Sequence, residues 1–143
     1  MHTDSKTRSL TFLSLLCFAL ADVRDGLGPF FGVFLQGKGW LPDEIGYVMT
    51  AGGLAGMFCT TPLGALADRA DKKRLLLGAT VIMIVVACGG IFLWFNTFSV
   101  WTSRILHGAL AAAIAPTLSG ITLGMVGQKG LPARLGKNEA WNH

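Results

Sequence analysis

An apolar run near the N-terminus, from Leu10 to Gln36, carries three charged residues close to its middle. At 1.5 Å per helical residue this run spans about 40 Å, more than the ~30 Å hydrocarbon core of a bilayer. A charge at the centre of a membrane helix costs about 3 kcal/mol, whereas each large apolar residue returns only about 0.5 kcal/mol. We therefore expect Asp22, Arg24 and Asp25 to face a bundle interior or a wet cavity rather than lipid.

The composition predicts an all-α membrane protein. The chain is 52% hydrophobic and only 14% charged, and its 19 glycines suit helices that pack closely in lipid. We expect four transmembrane helices, separated by connections short enough to make neighbouring helices antiparallel. The predicted spans are 10–36, 45–67, 75–95 and 98–126, and the segments outside them at the basic side are 1–9, 68–74 and 127–143.

The basic residues are distributed unevenly about these spans. Nine lie on one side and only Lys38 on the other; the nine are Lys6, Arg8, Arg69, Lys72, Lys73, Arg74, Lys129, Arg134 and Lys137. The positive-inside rule therefore predicts a chain in the cell (inner) membrane with a cytoplasmic N-terminus. A nucleic-acid partner is not expected, because the basic residues lie in short loops without interleaved aromatic residues.

The first span could instead be a cleaved signal peptide. Lys6 and Arg8 would form its basic region, and Ala19-Leu20-Ala21 its cleavage site. The segment Gly26–Leu35 argues against cleavage, because this strongly apolar stretch would be left in water.

Small residues and prolines within the spans predict close packing and bends. Gly52-x-x-x-Gly56 and Thr60-x-x-x-Gly64 are spaced to let another helix approach closely. Pro29 and Pro116 fall about 20 residues into the first and fourth spans, as interrupted helices of an internal repeat would place them.

Smaller features of the sequence are assigned structural roles. Asp43 is a candidate N-cap of the second span. The three cysteines, Cys17, Cys59 and Cys88, have no metal-site spacing and are interpreted as packing residues.

The loop after the second span carries the most specific motif, which reads Gly64-Ala65-Leu66-Ala67-Asp68-Arg69-Ala70-Asp71-Lys72-Lys73-Arg74. It resembles the signature of the major facilitator superfamily between its second and third helices, G-x-L-a-D-R-x-G-[RK]-[RK]. Asp71 departs from the pattern, at a turn position that Asp tolerates. The positions that match are Gly64, Leu66, Asp68, Arg69, Lys72 and Lys73.

The resemblance implies a gating role for this loop. In the family the acidic residue helps to lock the two halves of the transporter together at the cytoplasmic side, a role that falls here to Asp68. Arg69 and Lys72 would support it. The alternative is an ordinary cytoplasmic loop that contains one acid.

The start of the fourth span, Arg104-Ile105-Leu106-His107-Gly108, is similar to the family's fourth-helix pattern R-x-x-Q-G, with His107 in place of Gln. The resemblance associates Arg104 with proton transfer, in partnership with Asp22 or Asp25, which share one helical face. A structural ion pair is the alternative. His107 is either a proton relay or substrate contact, or a packed imidazole.

The resemblance implies a secondary transporter that works with protons, a small-molecule substrate and the lipid bilayer. Phe30, Phe31, Phe34 and Gln36 of the first span would line its cavity. No cofactor and no metal are expected, and no motif predicts an enzyme.

Family members have 12 spans, so we expect this chain to be a truncated N-terminal portion that lacks C-terminal helices. Two other classes stay open. One is a small four-helix exporter that acts as a dimer. The other is a membrane interaction protein, or a gene remnant, that transports nothing.

Overall fold

In a computed structural model of the chain, the described backbone comprises residues 2–25 and 28–142. The described side chains are those of residues 8–21, 23, 28, 30–138 and 140. The expectations for Asp22, Arg24 and Asp25 therefore fall on side chains outside this description.

The described chain is helical throughout, apart from short turns. It forms α1 (His2–Asp25), α2 (Gly28–Gly37), α3 (Pro42–Arg69), α4 (Lys73–Leu93), α5 (Thr97–Ala111) and α6 (Ile114–Asn142). No strand occurs in the part of the chain that the structure describes. The predicted all-α class is confirmed. Helices α1 and α2 occupy the first predicted span, α3 the second, α4 the third, and α5 with the first part of α6 the fourth.

One of the two prolines, Pro116, lies next to a break between described helices. A helical proline has no N–H to donate to the carbonyl four residues earlier, which is Asp25 for Pro29 and Ala112 for Pro116. Helix α1 ends at Asp25, and a turn at Ala112 separates α5 from α6. The fourth span is therefore interrupted close to its proline, as its sequence predicted. The bend expected at Pro29 adjoins residues 26 and 27, which lie outside the description, and stays a prediction.

Helix α3 begins earlier than its sequence suggested. Its N-cap is Leu41, whose N–H donates to the Glu44 carboxylate at 2.9 Å, and Pro42 occupies the first helical position. Proline is favoured there because its missing N–H would have no partner inside the helix. The prediction that Asp43 caps this helix was wrong, and Asp43 lies in the first turn instead.

Two buried clusters hold the bundle together at opposite ends of α4. The first joins α1, α4 and α6, and contains Leu13, Cys17, Leu20, Leu77, Ile84, Ile114 and Leu118. The second joins the four helices α2, α3, α4 and α5, and contains Phe31, Leu35, Val48, Ile91 and Val100. Cys17 is fully buried in the first cluster, whereas Cys59 and Cys88 are half-buried. None of the three forms a disulfide in the described structure.

The outer surface of the bundle is apolar. Large side chains such as Phe12, Ile82, Val86 and Leu93 are exposed. Two helical stretches, Lys73–Leu93 and Thr97–Asn138, are long and apolar enough to cross a bilayer by length and composition. An exposed surface of this kind requires an apolar surrounding or a partner.

Helix α6 reverses direction at Gly127, whose φ of 69° and ψ of 175° lie outside the helical region. The residues after it pack back onto the bundle. Arg134 donates to the Leu10 carbonyl and, at 2.6 Å, to the Ser14 hydroxyl. The buried Asn138 donates to Thr122 Oγ1 at 3.2 Å. The segment 128–142, expected only to lead towards a further helix, is itself helical and contacts α1.

Candidate functional site

Arg104 lies half-buried where α5 crosses α3. Its guanidinium carbon is 5.4 Å from the centre of the Phe31 ring, a cation–π distance. Its Nη1 is 3.3 Å from His107 Nδ1. Arg104 Nε is buried and has no hydrogen-bond partner among the described residues. The structure therefore holds a cation inside the bundle with one donor still available.

Glycine at position 52 makes room for this arginine. A Cβ added to Gly52 would lie 3.0 Å from Arg104 Cγ and 3.0 Å from the Arg104 carbonyl oxygen. Gly56 lies against Gly108 of α5 in the same way, with 3.0 Å between its added Cβ and the Gly108 carbonyl oxygen. The first small-residue pair is thus used for close helix contact.

The second small-residue pair is not used in this way. A Cβ added to Gly64 would meet no atom within 4 Å in the described structure. Thr60 turns its hydroxyl to the Gly56 carbonyl of its own helix, at 2.7 Å. No described helix approaches Gly64 closely, so the prediction that Thr60 and Gly64 permit a close approach stays a prediction.

His107 is only 6% exposed and lies one turn after Arg104 on α5. Arginine is only a donor, so in their hydrogen bond His107 Nδ1 must accept. This places the ring proton of the neutral imidazole on Nε2. The geometry brings Arg104 and His107 together, as their spacing predicted.

The three charged residues of the first span lie a few positions before Phe31, the residue whose ring contacts Arg104. Asp25 is the last residue of α1, and Phe31 in the next helix carries the contact with Arg104. Whether Asp22, Arg24 or Asp25 meets Arg104 stays a prediction, because their side chains are not described.

The phenylalanines of α2 line a cavity of about 200 Å³ against α4, together with Cys88, Ile91 and Phe92. Phe30, Phe31 and Phe34 were all expected to line a cavity. Gln36, expected with them, is exposed and does not line it. The lining is almost wholly apolar, so this cavity suits a hydrophobic group rather than an ion.

The loop between α3 and α4 is organised by Lys73. Its ammonium donates to the carbonyls of Ala67 and, at 3.1 Å, Asp68, at the end of α3. These carbonyls lack helical partners and carry the negative end of the helix dipole, so a cation stabilises them. The Lys73 stem also packs against Gly120 of α6, where an added Cβ would lie 2.8 Å from its Cδ.

The other charged residues of the motif face solvent. Asp68, Arg69 and Lys72 are exposed. Sequence reasoning placed Lys73 among the motif's basic residues but missed its capping contact. Its position four residues after the last α3 residue, where a lysine can reach back to the helix end, was the available signal.

A bundle of apolar-surfaced helices with a half-buried arginine and a basic connecting loop defines an integral membrane protein of the polytopic helical class. The model of the Major Facilitator Superfamily matches residues 10–142, and the chain belongs to that family. The predicted membership of this superfamily is confirmed. The family consists of membrane transporters rather than enzymes.

Similar proteins occur in two strains of Mycobacterium tuberculosis, and both are described as uncharacterized MFS-type transporters. The chain is 41% identical to each over 132 residues, which cover 92% of this chain and 32% of the relative. It thus spans about a third of the length of these relatives. No solved structure was found to match the chain. The family match does not support a small four-helix exporter of another class.

Proposed function

We propose that this chain forms part of a proton-coupled secondary transporter for a small molecule, with Arg104 at the centre of the coupling site. The observation that carries the proposal is the arginine's position, half-buried at a helix crossing and stacked on Phe31. A charge inside a bundle is retained when it is paired or contacts a water-filled path. Positions of this kind mark proton and substrate pathways in membrane proteins.

Asp22 and Asp25 are the proposed partners of Arg104. They lie at the end of α1, and the free Arg104 Nε supplies a donor for a carboxylate. A proton on the acid and an ion pair with arginine compete for the same carboxylate. Proton binding would therefore release Arg104, and Arg24 and His107 would modulate that exchange.

The gating motif is proposed to act at the basic end of the bundle. The exposed Asp68 is available to a partner outside this chain, with Arg69 and Lys72 beside it. Lys73 fixes the end of α3 and so holds the Asp68 backbone in place. In the proposed orientation, this loop and the N-terminus face the cytoplasm of the cell, at the inner membrane.

The test uses a chimera, because the chain covers 32% of its mycobacterial relatives. The matching part of one relative is replaced by residues 10–142, and the chimera is reconstituted with a pH dye in the lumen. Candidate small molecules are screened for uptake coupled to proton movement. Asp25→Asn and Arg104→Gln are expected to abolish coupled movement, and Lys129→Gln, an exposed change, is expected to preserve it.

Undiminished coupled transport by Asp25→Asn would overturn the site assignment. A chimera that folds and inserts but moves neither protons nor any screened solute would instead favour the non-transporting alternative. Folding is monitored independently by helical circular dichroism and by elution as a single species in detergent.

A further inference from the structure

An apolar trough of about 670 Å³ lies between α1 and α4, with α6 beneath it. Phe12 and Leu16 of α1 form one wall, Leu77 and Val81 of α4 form the other, and Arg74 closes one end. The trough lies outside the Arg104 site and uses none of the residues assigned to coupling or gating.

The closed end of the trough is basic. A second cavity of about 550 Å³, lined by Asp71, Lys72, Lys73 and Arg74, adjoins it through Arg74 and two residues of α6. Three cations against one acid leave this end with net positive charge. Since Lys73 is bound to carbonyls of α3, the exposed cations are Lys72 and Arg74.

The trough has the depth of one leaflet. From Arg74 to Ile82, α4 rises about 12 Å, and from Ser9 to Val23, α1 rises about 21 Å. Half of the hydrocarbon core of a bilayer is about 15 Å. The basic end would therefore lie at the level of the lipid phosphates, where α4 begins with Lys73.

We propose that this trough binds an anionic phospholipid, whose acyl chain lies between α1 and α4 and whose phosphate contacts Arg74. An apolar trench that ends in exposed cations complements such a lipid in both of its parts. The basic end favours a lipid over an uncharged apolar helix, because the lipid phosphate supplies the opposite charge at that level.

The test is native mass spectrometry of the full chain, released from membranes that contain equal phosphatidylglycerol and phosphatidylcholine with identical acyl chains. The wild type is expected to retain phosphatidylglycerol about fivefold more often, which is the effect of one basic residue near an anionic headgroup. Arg74→Gln should remove most of this preference, and Arg74→Lys should keep it. Lys129→Gln is the control for loss of a distant charge.

A second variant tests the apolar part of the site. Gly78 lines the trough and has open space around an added Cβ, so Gly78→Leu should fill the trough and reduce retention of both lipids. Gly89→Leu is the matched control, since Gly89 lies on the same helix, also has open space and is not part of the trough.

Equal retention of the two lipids by the wild type, or unchanged preference in Arg74→Gln, would overturn the proposal. Unchanged lipid retention in Gly78→Leu would show that the acyl chain does not lie in the trough. A photoreactive benzoylphenylalanine at Phe12 should give a lipid adduct. An adduct with protein instead would show that a helix occupies the trough.

Discussion

Gly52 and Gly108 bring α3 and α5 into direct backbone contact, since a Cβ added to Gly108 would lie 2.0 Å from the Gly52 carbonyl oxygen. Side-chain movement cannot relieve such a clash, because both partners are backbone. The crossing also positions Arg104, which lies one turn earlier on α5 and fills the space above Gly52. The close packing of α3 on α5 and the position of Arg104 therefore both depend on the lack of a side chain at the crossing.

Gly108→Ala is expected to destabilise the bundle by about 1–3 kcal/mol, the usual cost of inserting a methyl group into a packed interface. The measurement is the free energy of unfolding in mixed detergent micelles, followed by circular dichroism. Gly53→Ala is the matched control, because its Cβ would meet nothing within 4 Å. An equal effect of both substitutions would contradict the crossing as described.

Lys73→Gln is expected to loosen the end of α3 by about 1 kcal/mol, because it removes a cation from the carbonyl end of that helix. Amide hydrogen exchange should accelerate for Ala70, whose N–H donates to the Leu66 carbonyl in the last turn. Lys72→Gln removes a charge from the adjacent, exposed position and should leave that exchange rate nearly unchanged. Similar acceleration of Ala70 amide exchange in Lys73→Gln and Lys72→Gln would contradict a specific role of Lys73, because loss of either positive charge in the loop would then have the same effect.

At neutral pH, His107 is expected to carry its proton on Nε2, since Nδ1 accepts from Arg104. Nitrogen-15 spectra of histidine-labelled protein can assign this tautomer. The other two histidines are removed by His2→Gln and His143→Gln, so that a single ring is observed. A proton found on Nδ1 would rule out the hydrogen bond.

The same spectra test whether Arg104 is the hydrogen-bond partner of His107 Nδ1. Arg104→Gln should shift the His107 Nδ1 resonance, whereas Arg134→Gln, on another helix, should leave it in place. An unshifted resonance in Arg104→Gln would show that the two side chains do not interact in the membrane.

Arg134→Gln is expected to release the segment 128–142 from α1. The loss of hydrogen bonds to Leu10 and Ser14 that involve a charged donor costs about 1.5–3 kcal/mol, equivalent to roughly 10–150-fold faster local opening. Hydrogen exchange of amides after Gly127 measures this opening. Lys137→Gln, an exposed change on the same segment, should have little effect, and comparable acceleration by it would contradict the contact.

The sequence predicted those features of the fold that depend on local chemistry. The apolar runs predicted the helices, and the missing N–H of Pro116 predicted the break between α5 and α6. The spacing of Gly52 and Gly56 predicted a close helix contact but could not name Gly108 as the partner. Thr60 and Gly64 have the same spacing, yet no described helix lies against Gly64, because small residues permit an approach without requiring it.

The site was predicted in outline only. Arg104 and His107 were found together because residues one helical turn apart share a face. The stacking of Arg104 on Phe31 and the capping by Lys73 depend on how separate helices meet, which local patterns do not specify. The N-cap of α3 is Leu41 rather than the predicted Asp43, because Pro42 is favoured at the first helical position and the helix therefore begins there.

The contact between Arg134 and Ser14 joins residues 120 positions apart. During synthesis, this contact can therefore form only after residue 134 has been made. Contacts of such long separation form late, because the intervening loop must be ordered first. Leu10 and Ser14 of α1 accordingly lack their Arg134 contacts until the segment after the Gly127 reversal has been made and has packed back.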